Sequence, residues 1–433
     1  MESITVIGLW HQGIVGAACL ADAGCKVIAA DADIETIKSL RAGTSPIFEP
    51  GLDELLAAGI ASGNLSFSDN LSEAVALSDI VMVMFDTPVD DDDTVILDPV
   101  IDTLAKIAPA LKKQAHLHLT CQVPVGTTRG IKAQLSKLGR DDLSFSYSPE
   151  NLQLGKALDT FQHPRLPMIG ADDGEAFERI KNIYLKFHDE WEFVKIETAE
   201  MAKHALNTYL ALSVCFGNEL GTICDEVGAD GHKIAMALRG EPRFGPRAMI
   251  LPGLAFAGGT LARDVQTLRR IAKGAALDVP MFNAIMTSNG DHNQIVVRKM
   301  AAALGTLADR KVTVLGLTYK PDTSTLRRSA AVEMVQTLEA GGARVTSTDP
   351  MADEDEVAAA GLLGFSRDVE AAVAQSAAIV LMTPWQQYKD LDFDRIKTLM
   401  GPDPLVVDPF NFWDQAKLAS LGFRYQCIGK GGT

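Results

Sequence analysis

Near-continuous apolar runs, each closed by a glycine or an acid, recur along the chain. Ile4-Thr-Val-Ile-Gly-Leu9 near the start is echoed by Val312-Thr-Val-Leu-Gly-Leu317 in the last third. Runs that are apolar on both alternating faces predict buried strands of a parallel sheet. Each is followed by a helical stretch and a second strand ending on an acid, Val27-Ile-Ala-Ala-Asp31 in one copy and Val345-Thr-Ser-Thr-Asp349 in the other. This is the opening of a doubly wound α/β domain, which sets a nucleotide pyrophosphate at a helix N-terminus and a ribose beside the acid. Two copies imply two nucleotide sites.

Further strands are predicted at Asp79–Asp86 and Ala115–Cys121, and in the last third at 312–317, 343–348, 378–382 and 404–408. Ligands of such sheets meet the loops at the C-terminal strand ends. In the first half those loops are Gly8 to Gly13, Asp86-Thr-Pro88, Gln122 to Thr128 and Ser148 to Gln153. Between the two sheets, Thr198 to about Val227 carries Met201, Ala205, Leu212, Phe216, Leu220 and Ile223 near helical spacing, so one long connecting helix is expected. Lys203 and Asn207 share one face of it, with Glu200 a turn earlier, which reads either as a solvated polar stripe or as part of a site. The loop after the 312–317 strand holds Lys320, Arg327 and Arg328, where a phosphate-bearing ligand would dock if they are more than a surface basic cluster. The fold class is α/β, two Rossmann-like doubly wound parallel-sheet domains joined by a long central helix. The expected domains are 1–197, 198–300 and 301–433.

Composition narrows the partners. A chain of 433 residues is long enough for two or three domains, and no apolar run approaches the roughly 20 residues that span a bilayer. With no basic segment before the first strand, a cytoplasmic protein is expected. The net charge of −16 argues against nucleic acid or an anionic membrane as partner. The cysteines at 19, 25, 121, 215, 224 and 427 form no C-x-x-C pair and read as buried small hydrophobes. Asp90-Asp-Asp-Asp93 reads as a solvated turn, and no metal is expected.

Taken in order, Ile4 to Asp33, Pro46 to Leu52, Val123 to Thr128, Ser148-Pro-Glu150, Glu200 to Leu210, Arg243 to Pro246, Gly253 to Val265 and Val314 to Ser329 resemble the UDP-glucose/GDP-mannose dehydrogenase family over essentially the whole chain. The resemblance implies oxidation of the C6 alcohol of a nucleotide sugar, with NAD as cofactor and a homodimer built on the central helix. It implies cofactor contacts at Gly8, the Trp10 position, Gly13, Asp31, Thr87 and Gln122. It places Lys203 and Asn207 at the reacting sugar oxygen, Asp264 at the water or base, Glu150 in the hydrolytic step, and Thr260 at the position of the nucleophile. Arg243, Gly253, Lys320 and Arg327 fall on substrate-binding positions, Arg243 on one that reaches a neighbouring subunit.

Four departures limit this inheritance. Trp10 stands for the middle glycine of the phosphate turn, and Asp86 for a glycine before Thr-Pro, near the same phosphates. Thr260 stands where the family has its catalytic cysteine, in Ala257-Gly-Gly-Thr-Leu-Ala-Arg-Asp264, and Cys121-Gln122 replaces a Ser-Thr pair. A thiolate is needed to trap an aldehyde as a thiohemiacetal, and a threonine hydroxyl without a base is a poor substitute. The expectation is a nucleotide-sugar oxidoreductase making one two-electron oxidation. The alternatives are an NAD-retaining epimerase and a non-catalytic nucleotide-sugar-binding protein.

Overall fold

The computed structural model describes residues 2–90, 93–257 and 259–431, so Asp91 and Asp92 of the acidic run lie outside the described residues. The chain forms two compact units that divide between Leu206 and Asn207. The first holds an eight-stranded sheet of β1 (Ile4–Ile7), β2 (Val27–Ala30), β3 (Leu65–Ser68), β4 (Ile80–Val83), β5 (His116–Leu119), β6 (Ser144–Tyr147), β7 (Met168–Ala171) and β8 (Glu192–Val194), in the order β3-β2-β1-β4-β5-β6-β7-β8. The second holds a five-stranded sheet of β9 (Lys311–Leu315), β10 (Arg344–Thr348), β11 (Ala378–Leu381), β12 (Leu405–Asp408) and β13 (Arg424–Cys427), in the order β10-β9-β11-β12-β13. Both are the expected doubly wound parallel sheets, with one exception: β6 and β7 pair antiparallel.

The burial explains the apolar runs. Ile4 and Val6 of β1 pack with Ile14 and Leu20 of the following helix on one side of the first sheet, while Ile7, Val81, Val83 and Leu117 form the layer on the other. A strand covered on both faces cannot alternate.

The repeat extends to its hydrogen bonds. Gly8 and Gly316 follow β1 and β9 with φ of +90° and +86°, a conformation that favours glycine. The N–H of Leu9 donates to Asp31 Oδ2 at 2.7 Å, and that of Leu317 donates to Asp349 Oδ2 at 2.7 Å. The two acids then diverge. Asp349 is fully buried and also accepts from the N–H groups of Thr318, Met351 and Ala352 and from the indole of Trp385. Its carboxylate is used up in holding the loop, so the second copy has no ribose acid of the predicted kind.

The long helix, Ile196–Val227, runs from the first unit into the second. Its polarity reverses the plain reading of the sequence. Glu200, Lys203, His204, Asn207, Thr208 and Asn218 are buried, whereas Tyr209, Phe216, Ile223 and Val227 are exposed. No helix among the described residues is long and apolar enough to cross a membrane.

Candidate active site

The first unit builds its ligand end around the turn from Gly8 to the helix His11–Asp22. A Cβ on Gly13 would lie 1.9 Å from the carbonyl oxygen of Gly8, so that glycine lets the helix seat directly on the turn. Trp10 is the residue before the helix, with an ordinary φ of −86° and 56% of its surface exposed. Its indole lies open to solvent. Asp31, partly exposed, takes the N–H groups of Leu9 and Asp33 at 2.7 and 3.0 Å, and a carboxylate has acceptor positions beyond two. On the other side of β1, Asp86 Oδ2 accepts from the N–H of Gln12 at 3.2 Å, in the first turn of the helix. Thr87 and Gln122 are brought together, the Thr87 hydroxyl donating to the Gln122 carbonyl at 2.7 Å.

Still within the first unit, the buried polar face of the long helix docks on two loops. Glu200, fully buried, accepts from Gly126 N at 2.6 Å, Thr128 N at 2.9 Å and Thr128 Oγ1 at 2.7 Å. It thereby satisfies the start of the helix Thr127–Lys137, whose N-cap, Gly126, has no side chain to do so. Lys203 Nζ donates to Asn151 Oδ1 at 2.9 Å, which ties it to the loop carrying Glu150. The carboxylate of Glu150 accepts from the N–H of Leu152. A cavity of about 60 Å³ opens beside this loop, lined in part by Gln12, Thr120, Ser148, Glu150 and Asn151, and the buried Ser148 hydroxyl has no hydrogen-bond partner among the described residues. Glu200 reads in the sequence as part of the Lys203 and Asn207 face, but neither its partners nor the role of Asn151 is legible there. Their partners are more than 50 residues distant, and no local pattern signals that.

In the second unit, Asn207 Nδ2 donates to the carboxylate of Asp264. Asp264 is fully buried in the helix Gly259–Gly274, and Thr260 is exposed one turn earlier on the same helix. No histidine or acid bonds the Thr260 hydroxyl among the described residues. A Cβ on Gly259 would fall 2.2 Å from a guanidinium nitrogen of Arg328, so the 318–328 loop is packed against the start of the Thr260 helix. Arg328 holds a left-handed φ of 56° there. Arg327 is exposed and Lys320 half-buried, its carbonyl accepting from Thr323 Oγ1 at 2.8 Å. Gly253 is anchored through its backbone: its N–H donates to Asn218 Oδ1 at 2.9 Å and its carbonyl accepts from His292 Nε2 at 2.8 Å. Arg243 points to solvent, with its Nε donating to Glu241 at 2.8 Å.

Models of three successive domains match the chain: the NAD binding domain of the UDP-glucose/GDP-mannose dehydrogenase family over residues 2–188, the central domain over 197–291 and the UDP binding domain over 313–415. The UDP-glucose 6-dehydrogenase of Rhizobium meliloti is 34% identical over 99% of both chains. A UDP-glucose dehydrogenase from Pyrobaculum islandicum superposes with a TM-score of 0.89 at 30% identity, over 100% of this chain and 98% of that one. The chain belongs to the UDP-glucose/GDP-mannose dehydrogenase family.

Membership carries NAD as the cofactor and nucleotide-sugar oxidation as the chemistry. The residues fit NAD: Gly13 lets the helix His11–Asp22 seat on the Gly8 turn and present its N-terminus, and Asp31 stands at the end of β2. When bound, the cofactor supplies the hydride acceptor.

None of the chain's cysteines presents an exposed thiol: all six are buried. Burial pushes the thiols of Cys19, Cys121 and Cys427 up to about 12, and raises those of Cys215 and Cys224. Cys121, the one at a strand end of the ligand face, donates its Sγ to the Val83 carbonyl at 3.1 Å. A thiol held neutral in an apolar core is inert.

Proposed function

We propose that the protein oxidises a UDP-hexose once, converting an alcohol to a carbonyl with transfer of one hydride to NAD⁺ and release of one proton. The observation that carries this reading is Thr260, which has no base on its hydroxyl among the described residues and no accessible thiol to replace it. Lys203 and Asn207, one turn apart on the long helix, are the groups assigned to the sugar oxygen. Asp264, bonded to Asn207, receives the alcohol proton directly or through water. Glu150 belongs to the family's hydrolytic step and is retained without the nucleophile that precedes it. Lys320 and Arg327 hold the nucleotide phosphates, and Arg243, exposed and paired at the surface with Glu241, serves a neighbouring subunit's substrate.

The functional segments proposed are 1–197 for the cofactor, 198–300 for dimerisation and the Thr260 loop, and 301–433 for the nucleotide of the sugar. A homodimer is supported by the exposed Tyr209, Phe216, Ile223 and Val227, a heptad-spaced apolar stripe with its edge residue. The reaction is tested by incubating the pure protein with UDP-glucose and NAD⁺ and measuring NADH formed per sugar consumed. One NADH per sugar with a carbonyl product is expected; two with a uronic acid overturns the reading.

A further inference from the structure

The turn that receives the cofactor's pyrophosphate is clasped by two carboxylates from the two strands flanking β1. Asp31, after β2, takes the N–H of Leu9, and Asp86, after β4, takes the N–H of Gln12 at 3.2 Å. The two are not equivalent. Asp31 occupies the place where an acid serves the ribose, so its charge has a ligand to bind. Asp86 occupies the first turn of the helix His11–Asp22, where the backbone N–H groups and the helix dipole attract an anion. That first turn contains no acidic residue of its own. The anion there is supplied by Asp86, at the helix N-terminus to which doubly wound folds bring a pyrophosphate.

We infer that Asp86 is an affinity-setting residue of the cofactor site: its carboxylate substitutes for the pyrophosphate in the free protein and must turn away when NAD⁺ binds. The inference rests on the family's cofactor site being functional in this chain. Asp86 is solvent-exposed, so its side chain has room to leave. Its departure has costs. The hydrogen bond to Gln12 is given up to the phosphate, and a negative charge stays close to a second one. Like charges a few ångströms apart near a protein surface repel appreciably even with solvent screening.

The test is calorimetric titration of NAD⁺, ADP-ribose and adenosine into the full chain, its Asp86→Gly variant and its Asp86→Asn variant. Asp86→Gly is expected to bind NAD⁺ and ADP-ribose about tenfold more tightly, which corresponds to roughly 1.4 kcal/mol. Asp86→Asn, which keeps the size and removes the charge, should give a smaller gain in the same direction. Adenosine, without phosphates, should bind all three proteins equally. Unchanged or weaker NAD⁺ binding in both variants overturns the inference, as does an equal gain for adenosine. Absence of NAD⁺ binding in all three proteins overturns the cofactor reading itself. Unfolding midpoints verify that the variants are folded.

Discussion

The amide of Asn207 donates to the carboxylate of Asp264, and both side chains are buried. The amide of Asn207 thereby helps to fix the orientation of that acid. If Asp264 handles the alcohol proton, Asp264→Asn keeps the shape and removes the function. We predict a fall in kcat of roughly 10²–10⁴-fold with little change in KM, measured by initial NADH formation. A variant with unaltered kcat would exclude Asp264 from the proton path.

Thr260 provides the converse experiment. It lies in the first turn of the helix Gly259–Gly274, where backbone N–H groups favour an anion. A thiol there would be exposed and its thiolate stabilised, unlike the six native cysteines. Thr260→Cys is expected to raise the yield from one NADH per sugar toward two, and to react with iodoacetamide where the parent does not. Alkylation without a second NADH would locate the defect elsewhere, with Cys121-Gln122 the next position to revert.

The architecture was legible because its determinants are local. Each strand of the two Rossmann openings is announced by a run such as Ile4–Ile7 or Lys311–Leu315, and each turn by Gly8 or Gly316. The long helix was equally plain, but which side it buries was not. Its apolar positions suggest a core face, and yet Phe216 and Ile223 are exposed while Lys203 and Asn207 are buried. The reason is that its polar groups find distant partners: Glu200 meets Gly126 and Thr128, Lys203 meets Asn151, and His204 meets the Val123 carbonyl at 3.0 Å. Burial of a polar group is cheap only when such partners exist, and helical periodicity carries no information about them. The same limit applies to Asp349, which reads like Asp31 in the sequence but is consumed by its own loop.

Gly13 should tolerate no side chain. A Cβ there would lie 1.9 Å from the Gly8 carbonyl, a backbone atom that cannot be relieved by a rotamer change. Gly13→Ala must push the helix off the turn, at a cost of about 3 kcal/mol by comparison with other overpacked sites. Urea unfolding should show that loss, and NAD⁺ binding should weaken with it because the helix N-terminus is displaced from the phosphates. Full stability and affinity in the variant would mean that the turn is looser than the structure shows.

Acid sensitivity should arise from the interior of the first sheet. His116 bonds Ser144 and Ser146 at 2.7 and 2.6 Å, and His118 continues the chain from Ser146 to the Tyr184 hydroxyl at 2.7 and 2.9 Å. Burial, and then the Arg179 charge, lower the His116 pKa to about 3; burial, and then His116, lower that of His118 well below its ordinary range. Both rings are therefore neutral when folded, whereas an unfolded histidine protonates near pH 6.5. The unfolded state binds more protons below that pH, so the stability these rings contribute is complete above about 6.5 and is lost as pH falls toward 3. We expect urea midpoints to be level between pH 7 and 8 and to drop progressively below 6.5. His116→Gln should be less stable between pH 7 and 8, yet near pH 5 show a shallower dependence by about 1.4 kcal/mol per pH unit, the equivalent of one proton. An unchanged slope in that variant would show that the folded protein protonates His116 as readily as the unfolded chain does.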